Sequence, residues 1–202
     1  MKVVSAYQDF LDFFSIHNKE RLDGLSESYF TAMTQEERAR AFNYLLKLVE
    51  AGGTEERVHG LFRADSSRAV EPVERLLQAG VLNEDAQIAA AWNIYRIKKD
   101  ESLSSVFIRF MASQEEKLRE KAAYYVPADN LTSELKSALQ GMIRVETKQL
   151  ARIHAVDKIL ECYGVSEESV GKNKYLNIYK GLHSENLKDK EEGFKQLEKL
   201  YE

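Results

Sequence analysis

At 202 residues the chain is the size of one folded domain, and with 44% hydrophobic and 31% charged residues it is not a disordered polymer. Its 10 Gly and 2 Pro are too few for the many tight turns of an all-β fold. The formal charge of −4 is thinly spread, with residues 1–53, 54–163 and 164–202 each slightly richer in acids than in bases. That argues against nucleic acid as a general partner, because phosphate binding needs a basic surplus.

The N-terminal MKVVSAYQDFLDFF is apolar in parts, but Gln8, Asp9 and Asp12 interrupt any leader-like run, so no signal peptide is expected. No stretch approaches the ~18–20 apolar residues of a membrane span, and a cytoplasmic protein is expected. The lone Cys162 cannot close an intramolecular disulfide and reads as a small buried hydrophobe in a reducing compartment.

Apolar residues recur with a 3.6-residue period and predict helices over 3–17, 20–32, 35–51, 55–64, 68–79, 84–98, 101–112, 114–126, 131–143, 147–163, 173–182 and 185–201. Val3, Tyr7, Phe10, Leu11 and Phe14 form the first stripe; Leu150, Ile153 and Leu160 form a later one; Leu187, Phe194, Leu197 and Tyr201 form the last. Thr34 with Glu37, and Ser113 with Glu116, have capping-box spacing. Thr54, Asn83 and Ser166 are each followed by acids that suit a first turn. Gly52-Gly53, Gly80 and Gly164 follow apolar runs, where a left-handed residue ends a helix.

Short linkers predict antiparallel neighbours, and the small-residue centres Gly60-Leu-Phe62, Ala90-Ala-Trp92, Ala122-Ala-Tyr124 and His154-Ala-Val156 repeat at roughly 30-residue spacing. Residues 85–100 (DAQIAAAWNIYRIKKD) followed by ESLSSVFIRFM, and then 115–129 (EEKLREKAAYYVPAD), resemble the helix pairs of the HEAT and HEAT-like α-solenoid superfamily. Pro72 matches the proline of that family's first helix. The resemblance implies an all-α, irregular right-handed solenoid of about 10–12 helices. It would form one domain over 1–202, with cap helices at 1–33 and 164–202 and repeats at 34–163.

A search for chemistry returns little. His17, His59, His154 and His183 lie on separate segments with no ligand partner at i+3 or i+4, so no metal site is expected. His154 has Asp157 three residues on, which suits a hydrogen-bonded pair on one helix face. The Glu-Glu pairs fall mostly at helix starts, where capping explains them. Motifs for nucleophilic catalysis, phosphate loops and calcium loops are absent, so no catalytic residue and no cofactor are assigned.

In a solenoid the starts of alternate helices line one edge, which would stack Glu55, Glu56, Glu84, Asp85, Glu115, Glu116 and Glu146 as an acidic ridge able to steer a basic partner. Trp92, Tyr95 and Tyr124 recur at helical spacing as core residues or as a concave contact surface. The expected function is protein binding rather than catalysis, and a short acidic chain of this kind is similar in type to immunity proteins that occlude a toxin. The resemblance leaves two alternatives, a HEAT-like DNA glycosylase and a cofactor-binding, lyase-like solenoid.

Overall fold

A computed structural model describes residues 5–15, 25–129 and 131–200. Among them are thirteen α-helices, a short 3-10 turn and no strand. The expected all-α class is therefore met. The helices are α1 (Ala6–Ser15), α2 (Glu27–Thr31), α3 (Gln35–Glu50), α4 (Glu55–Ala64), α5 (Ser66–Gln78), α6 (Glu84–Lys98), α7 (Ser104–Met111), α8 (Glu116–Tyr125), α9 (Ser133–Val145), α10 (Gln149–Cys162), α11 (Glu167–Val170), α12 (Lys172–His183) and α13 (Leu187–Glu198). Residues 20–24 of the expected helix 20–32, together with His17 and Tyr201, lie outside the described residues, while 27–31 of that helix form α2. The four-residue α11 is not foreshadowed by any apolar period, because none of its residues is buried.

Helix ends follow local rules closely. Thr34 forms a full capping box with Glu37, and Ser166 forms one with Ser169. Gly52, Gly53, Gly80 and Gly164 all have positive φ and close the preceding helices. Ser113 is a correction. Helix α8 starts at Glu116 with Glu115 as its N-cap, and no side-chain cap bond forms there. The Ser113 hydroxyl accepts the Glu115 N–H at 3.1 Å, while Arg119 Nη1 binds the carbonyls of Ser113 and Gln114, both at 3.0 Å. The arginine ties down a turn that precedes the helix, and so delays its start.

The chain divides into two compact units, 1–94 and 95–202, with the boundary near the end of α6. In the first unit α3 pairs with α4 and α4 with α5, while α1 packs on α2 and α3. Its core is aromatic: fully buried Phe10 meets Phe14, Phe30 and Tyr44 edge to face, with ring centroids 5.2, 5.7 and 5.9 Å away. At Gly60 a Cβ would stand 2.6 Å from Leu25 Cδ2, so a larger residue there would displace that leucine side chain.

The second unit is built from the pairs α7/α8, α9/α10 and α12/α13. Alternate helices also pack, α7 on α9, α8 on α10 and α10 on α12. Phe107, Leu135, Leu139, Ile143, Ile159 and Ile178 form its solvent-free centre. Phe194 and Leu197 of α13 are buried, as expected of a terminal helix, and the Arg144 guanidinium lies over the Phe194 ring at 4.7 Å. Two members of the expected stripes are exposed: Leu150 at 53% and Leu187 at 55%. Each sits in the first turn of its helix, ahead of the point where that helix meets its neighbours.

Candidate functional site: an aromatic and acidic face on the second unit

In the first unit, Asp85 Oδ2 accepts the Glu55 N–H at 3.2 Å, which places the starts of α4 and α6 side by side. Asn83 reinforces this join, donating from Nδ2 to the Gly53 carbonyl at 2.6 Å and from its backbone N–H to the Gly52 carbonyl at 2.8 Å. Thr54 makes no side-chain cap bond, so the carboxylate of a helix 30 residues away caps α4 in its place. Within this unit Glu55, Glu56, Glu84 and Asp85 do occupy two adjacent helix starts. Part of their charge serves the helix ends themselves.

One turn further along, His59 and Trp92 meet edge to face at 5.3 Å. Asn93, 6% exposed, donates from Nδ2 to both the Ala89 carbonyl (2.8 Å) and His59 Nδ1 (2.9 Å). That makes Nδ1 an acceptor and leaves the imidazole proton on Nε2, facing Glu55 Oε1 at 3.9 Å. The whole assembly is half-buried and braced, which suits a packing role for Trp92.

In the second unit the ridge residues behave differently. Glu146 is 6% exposed and receives a two-pronged bond from Arg119, Nε to Oε2 at 2.5 Å and Nη2 to Oε1 at 3.1 Å. It also accepts the Lys148 N–H at 2.9 Å. The Arg119 hydrogen bonds hold its carboxyl below the ordinary value, against the opposing effect of burial. The expectation that Glu146 presents charge to solvent is therefore corrected: this carboxylate is consumed inside the protein. Glu115 and Glu116 are exposed, and Glu116 lies 3.6 Å from Lys148. Two cations thus dilute the ridge at the starts of α8 and α10.

Tyr95 is a second correction. It is 4% exposed, and Lys99 Nζ sits 4.9 Å above its ring while binding Asp129 at 2.5 Å. That ring is covered and offers no contact surface.

Tyr124 is the aromatic residue that does reach solvent, at 54% exposure. Its ring is held edge-on by Tyr125 (5.0 Å) and by His154 of α10 (5.2 Å). His154 Nε2 lies 3.6 Å from Glu120 Oε1, one turn before Tyr124 on α8. Asp157 follows His154 by three residues on the same side of α10. Beyond it on α12, Tyr175 stacks on Tyr179 at 5.7 Å, and Tyr179 contacts His183 at 4.3 Å. Burial, then the fields of Asp157 and Glu167, push the Tyr175 phenol up; burial and Asp157 do the same to Tyr179.

Sequence spacing marks Tyr124 but not Tyr175, Tyr179 or Glu120. The His154–Asp157 spacing is the signal that points to this face. No group of three or more metal-ligating side chains occurs among the described residues. Burial pushes the Cys162 thiol up to about 11, which disfavours its thiolate form. A shallow groove of about 450 Å³ is lined by Ile108, Ser133, Glu134, Ser137 and Ala138, with no base or nucleophile of unusual reactivity. Among the described residues no helix is long and apolar enough to cross a membrane. Comparison with family models, with curated proteins and with solved structures finds no match for the chain.

Proposed function

We propose that the chain is a non-catalytic protein-binding module of the immunity type, working in the cytoplasm, whose α8/α10/α12 face receives basic side chains of a toxin-like partner. The observation that carries the reading is Tyr124: a half-exposed ring, braced from two sides, with Glu120 one turn before it, and with Asp157 acting on two further tyrosines of α12. Braced aromatics lose little entropy on binding and are frequent interface anchors. With carboxylates beside them they favour Lys and Arg through cation–π and ionic attraction together.

The solenoid reading of the fold belongs to the same proposal. Its support is that polar contacts recur between residues about one repeat apart: Glu55 to Asp85 and Gly53 to Asn83 (30 residues), His59 to Asn93 (34), Lys99 to Asp129 (30) and Arg119 to Glu146 (27).

The test is co-expression with the protein product of each adjacent open reading frame, reading cell growth and complex formation. One product should arrest growth alone, lose that effect in the presence of this chain, and co-elute with it. Tyr124→Ala should weaken the complex by roughly 30-fold, the effect of removing an interface hot spot of about 2 kcal/mol. No complex with either product, or a Tyr124→Ala variant that binds unchanged, would overturn the reading.

A further inference from the structure

A second surface lies where the α9–α10 turn meets the α12–α13 turn; it is centred on Arg152, Lys190 and Glu185 and touches the face just described only through His183 and Asp157. The two turns adjoin because Lys190 Nζ donates to the carbonyls of Ile143 (2.7 Å) and Arg144 (3.2 Å), and Arg152 Nη1 reaches Glu185 Oε1 at 2.7 Å. Lys190 is 3% exposed and finishes the C-terminal end of α9 from a distance, the role a cation takes at a helix's negative end.

Arg152 is less well served. Its side chain is only 12% exposed, yet its counter-ion Glu185 is 79% exposed on the α12–α13 turn. The Arg152 Nε and Nη1 are both buried and neither has a partner in hydrogen-bond geometry, Nη1 having only its ionic contact with Glu185; the buried Nε2 of His183, two residues before Glu185, has none either. The charged groups around His183 are Asp157, Arg152 and Lys190. Burial holds its imidazole below the ordinary value, with Asp157 opposing and the two cations assisting. A guanidinium this desolvated is costly unless a carboxylate meets its planar fork through two nitrogens. Glu185 meets it through one, from a position in water where ion pairs contribute little.

Around this arginine the protein exposes aliphatic side chains. Val145 (77%), Leu150 (53%) and Leu187 (55%) lie on the same two adjoining turns, three of the six large hydrophobic residues exposed among the described residues. A mostly buried arginine with exposed aliphatic side chains on the turns beside it is the composition of an interface centre and not of a solvated edge. A free small anion would need no aliphatic rim, so the rim favours a carboxylate carried on a protein chain.

We infer that Arg152 anchors a docking surface for an acidic side chain of a partner protein flanked by aliphatic residues, and that Glu185 is an internal stand-in which the incoming carboxylate displaces. Docking exchanges a one-pronged, hydrated ion pair for a two-pronged, desolvated one and covers Val145, Leu150 and Leu187. It involves no proton or covalent change.

The test uses the full chain and two capped peptides, acetyl-Ala-Leu-Glu-Leu-Ala-amide and its Gln counterpart, followed by ¹H–¹⁵N NMR of the Arg152 Nε–H and of the backbone amides of 183–190. The Glu peptide should shift these signals saturably, and the Gln peptide should not. Because Glu185 competes for the same guanidinium, Glu185→Gln should tighten the Glu peptide by about two- to five-fold, the range over which an exposed ion pair acts. Glu185 is mostly solvated, so this variant folds. Leu150→Ser with Leu187→Ser should weaken the peptide without affecting acetate. Equal shifts by both peptides, no shift at millimolar peptide, or an unchanged affinity in Glu185→Gln would each overturn the inference. Acetate as effective as the Glu peptide would overturn the docking assignment, leaving a simple carboxylate site.

Discussion

The burial of Phe194 gives the sharpest test of how the second unit is held together. Its ring is 3% exposed, beneath the Arg144 guanidinium, and Arg144 is itself fixed by two bonds to Glu191 at 2.6 and 3.2 Å. Burying a phenylalanine contributes about 2–3 kcal/mol by transfer alone, and the cavity left by truncation brings a Phe→Ala change to about 3–5 kcal/mol. Arg144 keeps Glu191 in the variant, so it loses only its ring contact, about 0.5 kcal/mol. Phe194→Ala should therefore cost about 4 kcal/mol. With a urea m-value of about 1–2 kcal/mol/M for a unit this size, the midpoint should fall by roughly 2–4 M. Trp92 is the single tryptophan and belongs to the first unit, so the transition should be followed by far-ultraviolet circular dichroism. Phe194→Leu, which refills most of the volume, should cost under about 1.5 kcal/mol. A midpoint that moves by less than about 0.5 M in Phe194→Ala would mean that α13 is not docked through this ring.

Two further outcomes follow from the interior. Glu146→Gln leaves Arg119 without its partner in a site where the glutamate side chain is 4% exposed, and should cost about 3 kcal/mol in urea unfolding at neutral pH. The sign with pH is fixed by the lowered carboxyl: the ion pair's stabilisation is present above the unfolded value, near 4.3, and is lost as pH falls through the lower folded value. Wild type should then lose more stability than Glu146→Gln on acidification below about pH 4, and parallel losses would remove the pair from the account. Glycines give a paired test by thermal unfolding. A Cβ at Gly141 meets nothing within 4 Å, so Gly141→Ala should stabilise by about 0.5–1 kcal/mol through helix propensity. A Cβ at Gly193 stands 3.2 Å from the Leu182 backbone nitrogen and side chain, so Gly193→Ala should destabilise by about 1 kcal/mol; stabilisation there would mean that α12 and α13 are not so closely packed.

Helix content and most helix ends were legible because they depend on residues a few positions apart. Thr34 finds Glu37, and Gly164 ends α10, without help from the rest of the fold. Ser113 failed for a reason of the opposite kind: Arg119, six residues on, binds the carbonyls that open the turn, and a side chain reaching backwards leaves no periodic trace. Leu150 and Leu187 failed because a 3.6-residue period says which face is apolar but not where along the helix the neighbour begins.

The site was less legible because acidic residues at helix starts look alike in sequence and differ in what stands opposite. Asp85 caps α4 from 30 residues away, Glu146 is sequestered by Arg119 from 27 away, and Glu84 remains exposed. All three obey the same first-turn preference. What separates them is the cation or N–H supplied by a helix one repeat distant. The roughly 30-residue period that suggested a ridge is thus also the distance at which the ridge is neutralised, since it brings Arg119 and Lys148 to the same helix starts as Glu116 and Glu146. Repetition aligns acids, but it aligns their partners equally well, and a binding surface survives only where no partner recurs. On the second unit the neighbour of Tyr124 one repeat away is the ring of His154, itself 3.6 Å from Glu120 of Tyr124's own helix, which is why the proposed binding face is placed there.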